Sequence, residues 1–159
     1  MAKKLKAQGK TLTKRVSEHM ASLGIHPTNR PMETYTQMPE DPTNLPAKTL
    51  QKFYTAMVAW YAYSNEALAE VKITLLDLDR RLRREKAIRL MGSSEGTKWK
   101  AENKIAKDPV LHKLERNKME FEGKRIALET VVENYDAKSR ALSRELTRRG
   151  VEYSQAGRI

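Results

Sequence analysis

Six cations crowd one short stretch of the chain: Arg80, Arg81, Arg83, Arg84, Lys86 and Arg89. A break at Gly92-Ser93-Ser94 follows, and positive charge resumes with Lys98, Lys100, Lys104 and Lys107. Against them stand only Asp79, Glu85, Glu95, Glu102 and Asp108. Guanidinium and ammonium groups at this density neutralise phosphates. Contacts of that kind hold a nucleic-acid backbone without reading its sequence. Trp99, between two lysines, adds an indole on which an unpaired base can stack, which suits a single strand. Both features also have a plainer explanation. Charged side chains solvate exposed helix, and cations near a helix C-terminus complement its dipole. Trp99 fits the role of a hydrophobic pin under a loop as well as that of a stacking platform.

No other constellation carries chemistry. His19, His26 and His112 are scattered, with no HxxxH or HExxH pair among them, so neither a metal site nor a catalytic histidine is expected. Phosphate loops of the GxxxxGKS/T or GxGxxG type are absent. Asp77 and Asp79 are two residues apart and face different sides of a helix. They are expected to pair locally with Arg80, Arg81 and Arg83 through i,i+4-type contacts. The chain has no cysteine, which excludes disulfides, thiolate zinc sites and cysteine nucleophiles, and fits a reducing compartment. Neither a cofactor nor an enzymatic activity is expected.

The 159 residues carry 31 Lys and Arg against 20 Asp and Glu, a net charge of +11. Such a surplus costs self-repulsion and attracts polyanions: nucleic acid, an anionic membrane or an acidic protein face. No apolar run reaches the ~18–20 residues that span a bilayer. The opening MAKKLKAQGK is basic but no apolar core follows, so a secretory signal is not expected. Hydrophobic residues make up 39% and aromatics 6%, a balance suited to long, half-exposed helices that complete their core by association.

The elements that position the cations follow from periodicity. Residues 1–10 read as a cationic arm. A short helix is expected from Leu12 to Leu23, with Leu12, Val16, Met20 and Leu23 on one face and Gly24 as its stop. Residues 25–46 hold five of the six prolines and read as a stiff strap. From Ala47 to Met91 there is neither Gly nor Pro, with Asn44 as a possible cap. Leu50, Met57, Ser64, Val71 and Leu78 step by seven, and Tyr54, Tyr61, Leu68, Leu75 and Leu82 run four behind. That spacing predicts a helix about 65 Å long with a coiled-coil-like seam. GSSEGT reads as a loop, and a second helical segment is expected near Lys98. Asp108-Pro109 then caps and opens a helix running to Arg149, ended by Gly150 and followed by a loose tail. Its seam is Leu114, Phe121, Leu128, Tyr135 and Leu142, with Leu111, Val132 and Leu146 on a companion series that Lys118, Arg125 and Ser139 interrupt. Gly123 inside it implies a close helix crossing or a mild defect.

The expected fold is therefore all-α. Residues 1–44 form arm, short helix and strap; residues 45–150 form a long antiparallel helical hairpin with its tip near 92–97; residues 151–159 form a tail. Phe53, Tyr54, Met57, Trp60, Tyr61 and Tyr63 are more aromatic and apolar surface than one seam buries, so they are expected at a homo-oligomer interface. In a hairpin the cations converge at the tip, and several tips in one oligomer would bind with avidity.

From about Leu45 to Arg149 the chain resembles the UvsY-type recombination mediators of tailed phages. Four stretches carry the resemblance: LQKFYTAMVAWYAYS, LRREKAIRLMGSS, NKIAKDPVLHKLE and ALETVVENYDAKSRALSRELTRR. It implies ring-like oligomers that bind single-stranded DNA. It also implies help in loading a RecA-like recombinase onto strands covered by single-strand-binding protein, in the cytoplasm of an infected bacterial host. The family's DNA contacts just before the tip fall on Arg84, Lys86 and Arg89. Its tyrosines before the glycine are replaced by Leu90-Met91, so no stacking role carries over there.

Two functional readings emerge. One is a non-enzymatic, oligomeric, single-stranded-DNA-binding recombination mediator. The other is a helical virion or scaffold protein whose N-terminal arm drapes across neighbours. A membrane-surface role lacks the bulky apolar face it needs at the basic tip.

Overall fold

The computed structural model describes residues 11–22, 24, 28–92 and 106–156. Helix α1 spans Thr11–Ser22, α2 Ala47–Met91 and α3 Pro109–Ala156, and a short 3-10 turn covers Pro42–Asn44. No strand occurs among the described residues, and the two long helices pack against each other.

The helix ends follow local chemistry. Gly24 adopts the left-handed φ of +75° and closes α1. The first bond of α2 runs from the Leu50 N–H to the Pro46 carbonyl at 3.0 Å. Asn44 does not cap this helix: its side-chain amide donates to Asp41, which instead caps the 3-10 turn by accepting from the Thr43 N–H. Helix α2 stops at Met91, with the Gly92 N–H donating to Ile88 O. Asp108 caps α3 as its residue type predicts, accepting from the Val110 and Leu111 N–H groups at 2.8 and 3.2 Å. Gly150 does not end α3, which continues to Ala156. An ion-pair ladder bridges the glycine: Arg148 holds Glu145 at 2.7 Å on one side and Glu152 on the other. A glycine stops a helix when its neighbours favour the left-handed cap, and here they favour another turn. The tail is therefore helical through Ala156.

The chain divides into two compact units, one of residues 1–26 with Leu68–Ala127, the other of Pro27–Ala67 with Leu128–Ile159. In the first, Leu68, Leu75, Leu78 and Leu111 are buried. In the second, Leu50, Met57 and Leu142 form a fully buried core, with Met38, Leu45, Phe53, Tyr54, Tyr135 and Leu146 packed around it. Every buried side chain named here lies on a heptad position, as does the buried Ser64.

The strap belongs to the second unit and is tied to it by specific contacts. Arg149, only 13% exposed, donates to the carbonyls of Leu45, Thr43 and Pro42 at 2.5, 2.8 and 3.0 Å. Its Nε donates to Glu145 at 2.8 Å. One guanidinium thus holds the turn at the head of α2. Farther along, the Tyr35 and Phe53 rings meet at right angles with centroids 4.7 Å apart. The Arg30 guanidinium lies 5.9 Å over the Trp60 ring, and the Thr28 N–H donates to Glu66 at 2.6 Å.

Arg148 and Arg149 together hold the Glu145 carboxyl down to about 2. Folding depresses this group, so its contribution is complete above the ordinary value of 4.5 and is lost as pH falls through about 2. In urea unfolding, Glu145→Gln should flatten part of the acid limb below 4.5. Arg149→Ala should cost about 2 kcal/mol at neutral pH, because three carbonyls lose a charged donor. Gly123 resolves as the defect rather than a close crossing, since a Cβ there meets nothing within 4 Å. Gly123→Ala should therefore raise the melting temperature, adding up to about 1 kcal/mol.

Candidate nucleic-acid interface

The described part of the cationic cluster lies on the last turns of α2, in the first unit. Lys98, Trp99, Lys100 and Lys104 lie outside the described residues. The six cations of α2 separate into two sets. Arg81 pairs with Asp77 one turn back, at 2.6 Å. Lys86 reaches Glu115 of α3 at 2.9 Å. Arg89 is bound most fully: it pairs with Glu85 on its own helix and with Asp108 at 2.6 Å. Asp108 therefore serves twice, capping α3 and fixing the end of α2 to it.

The electrostatics agree with that geometry. The Arg89 hydrogen bond, then the Leu111 and Val110 N–H groups, hold the Asp108 carboxyl below its usual range, while Asp108 and Glu85 raise Arg89. Lys86 lowers Glu115 in the same way. Asp79 departs from its expected local role. It turns from the arginines of its own helix to Lys118 of α3, at 2.7 Å. The hydrogen bond lowers Asp79 and raises Lys118. Lys118 interrupts the α3 seam because the position holds a cross-helix ion pair instead of an apolar contact.

The second set is Arg80, Arg83 and Arg84. All three are exposed, and none forms an ion pair with another described residue. At 100° per residue they share an arc of about 100° on one helix face. Leu76 and Met91, 70% and 88% exposed, lie on the same face. This arrangement leaves guanidinium forks that form no ion pair with a described carboxylate, Arg83 lying within electrostatic reach of Asp79. Sequence spacing alone did not separate these three from the paired cations, because Glu115 and Asp108 lie far along the chain.

The residues expected at an oligomer interface find partners within the chain. Met57 is fully buried within its own chain, on the seam. Tyr54 packs against the same core, and Tyr61 is half-buried on the seam. Phe53 meets Tyr35 of the strap. Trp60 stacks on Tyr135 at 5.9 Å, nearly parallel, and meets Tyr63 edge-on at 5.8 Å. The strap side of these contacts was missed because proline density announces a stiff segment but not where it lies. No group of His, Asp or Glu side chains among the described residues could hold a metal ion. No helix among them is long and apolar enough to cross a membrane.

The paired and unpaired cations should separate in stability. Arg89→Ala should lower the midpoint of urea unfolding, because it leaves Asp108 and Glu85 without their charged partner. Arg84→Ala should leave it within about 0.5 kcal/mol of wild type.

No protein-family model, curated protein or solved structure matches the chain.

Proposed function

We propose that the chain is a non-enzymatic, oligomeric single-stranded-DNA-binding protein that acts as a recombination mediator, helping a RecA-like recombinase load onto strands covered by single-strand-binding protein. The observation that carries the DNA-binding part is the face of Arg80, Arg83 and Arg84, exposed beside a helix end while the neighbouring cations are ion-paired. Three guanidinium groups that form no ion pair with a described residue share one face and suit consecutive phosphates. Their backbone contacts give little sequence preference, as a mediator needs. The loading role rests on the resemblance of Leu45 to Arg149 to the phage mediators.

Two further observations support this reading. Within the first unit, partners fall from Lys118 to Asp108 as they rise from Asp79 to Arg89, which favours an antiparallel run with the cations toward its tip. Leu76, Met119 and Ile126 stay 70, 73 and 59% exposed, apolar surface that association with further copies would cover.

Anisotropy of a labelled single-stranded oligonucleotide across a salt series, with duplex as competitor, tests the binding. Steep, strand-preferring binding is expected. The triple variant Arg80→Ala, Arg83→Ala, Arg84→Ala should lower the slope of log affinity against log salt by about 2 while the helix content persists. Weak binding that is indifferent to strand type, or a triple variant that binds as wild type, overturns it.

A further inference from the structure

The second unit holds a groove of about 580 Å³ between the strap and the first turns of α2. Met32 and Tyr35 line it from the strap, and Lys48, Lys52, Ala56 and Ala59 from the helix. Its character is unusual for this chain. The lining includes two lysines and no carboxylate, with the small apolar Ala56 and Ala59 beside the neutral polar Thr34, Gln51 and Thr55. Of the strap's acidic residues, Glu33, between the groove residues Met32 and Thr34, is held by Arg30 at 2.6 Å. Asp41 is spent on capping the 3-10 turn.

Tyr35 adds the decisive feature. It sits at φ +69°, the left-handed region that a bulky side chain rarely adopts. Strained backbone of this kind persists where the surroundings fix it, and it gathers at ligand clamps. Here the strain holds an aromatic ring at the groove, still 37% exposed after its contact with Phe53. The ring, the apolar alanines and the paired ammonium groups are the parts from which single-strand sites are built: surfaces for bases and charges for the backbone.

We infer that this groove is a second seat for single-stranded nucleic acid, with bases against Tyr35 and the apolar alanines and phosphates at Lys48 and Lys52. Lys48 and Lys52 are one helical turn apart, so their ammonium groups can serve neighbouring phosphates. The inference rests on the single-strand reading above and extends it to a site on different residues in the other unit. An acidic peptide would find the same lysines but would gain little from an exposed ring.

The test uses the full chain, with Trp99→Phe introduced only for the fluorescence arm so that Trp60, next in sequence to the groove residue Ala59, is the tryptophan that reports. Labelled oligo(dT) and an abasic strand of equal length are the probes. Oligo(dT) should change Trp60 fluorescence and the abasic strand should not. Tyr35→Gly relieves the backbone strain, so it should keep or raise the melting temperature while weakening oligo(dT) binding roughly tenfold. Lys48→Gln with Lys52→Gln should lower the salt slope by about 1.4. Wild-type binding by both groove variants, with loss only in the Arg80, Arg83, Arg84 variant, overturns the groove and leaves the helix-end site standing. Equal binding of abasic strand and oligo(dT), or equal competition by an acidic peptide, reduces the groove to a charge contact and also overturns the seat. Absence of any strand binding overturns both.

Discussion

Two long helices in contact can cover only one stripe of each other, and most of what this chain does follows from that limit. The buried apolar side chains, Leu50, Met57, Leu68, Leu75, Leu78, Leu111 and Leu142, all lie on the facing seams. Packing of this kind holds helices side by side but leaves each with a wide exposed surface. Large apolar residues such as Leu76, Met119 and Ile126 therefore remain in solvent. Cohesion beyond the stripe has to come from elsewhere, and it comes from charge. Asp79–Lys118, Lys86–Glu115 and Arg89–Asp108 each join α2 to α3 in the first unit. Individually such part-exposed pairs contribute little, but they fix register where an apolar seam alone tolerates sliding.

The second unit meets the same limit differently. There the strap adds a third layer, so Phe53 and Trp60 gain cover that a second helix cannot give. Prolines deprive the strap of amide donors, which makes it hard to anchor through ordinary backbone ladders. Its carbonyls remain, and Arg149 collects three of them. An arginine suits that task because its fork presents several donors in one plane. The same residue sits a single position before Gly150, and the continuation of α3 through that glycine adds Glu152 as a second partner for the neighbouring Arg148.

Seven-residue spacing made the seam readable from sequence almost to the residue, because burial on a long helix is periodic and periodicity survives in the letters. Asp108-Pro109, Gly92 and Gly24 were readable for a similar reason: caps and stops act over three or four residues. What escaped were choices between local and distant partners. Asp79 had arginines one turn away and took Lys118. Gly150 resembled a stop, and only the Glu145–Arg148–Glu152 ladder across it explains the extra turns. Tyr35 carried no signal at all, since its left-handed backbone is imposed by where the strap lies. For the same reason the cationic cluster was visible as a cluster, but the division into ion-paired and unpaired members was not.

That last point bears on what the surplus of charge is for. A chain at +11 has fewer carboxylates than cations, so some cations must go unpaired wherever the fold places its acids. Placement is then the informative quantity. In the first unit ion pairs engage Arg81, Lys86, Arg89 and Lys118, and Arg80, Arg83 and Arg84 are among the cations left outside them. In the second unit Glu145 is committed to Arg148 and Arg149, and Asp41 to its turn, while the groove at Lys48 and Lys52 is left without a carboxylate. Among the cations outside any described ion pair, Arg80, Arg83 and Arg84 stand at i, i+3 and i+4 on one face of α2, and Lys48 and Lys52 at i, i+4 beside a strained aromatic ring, so repulsion within each set is left uncompensated by described carboxylates.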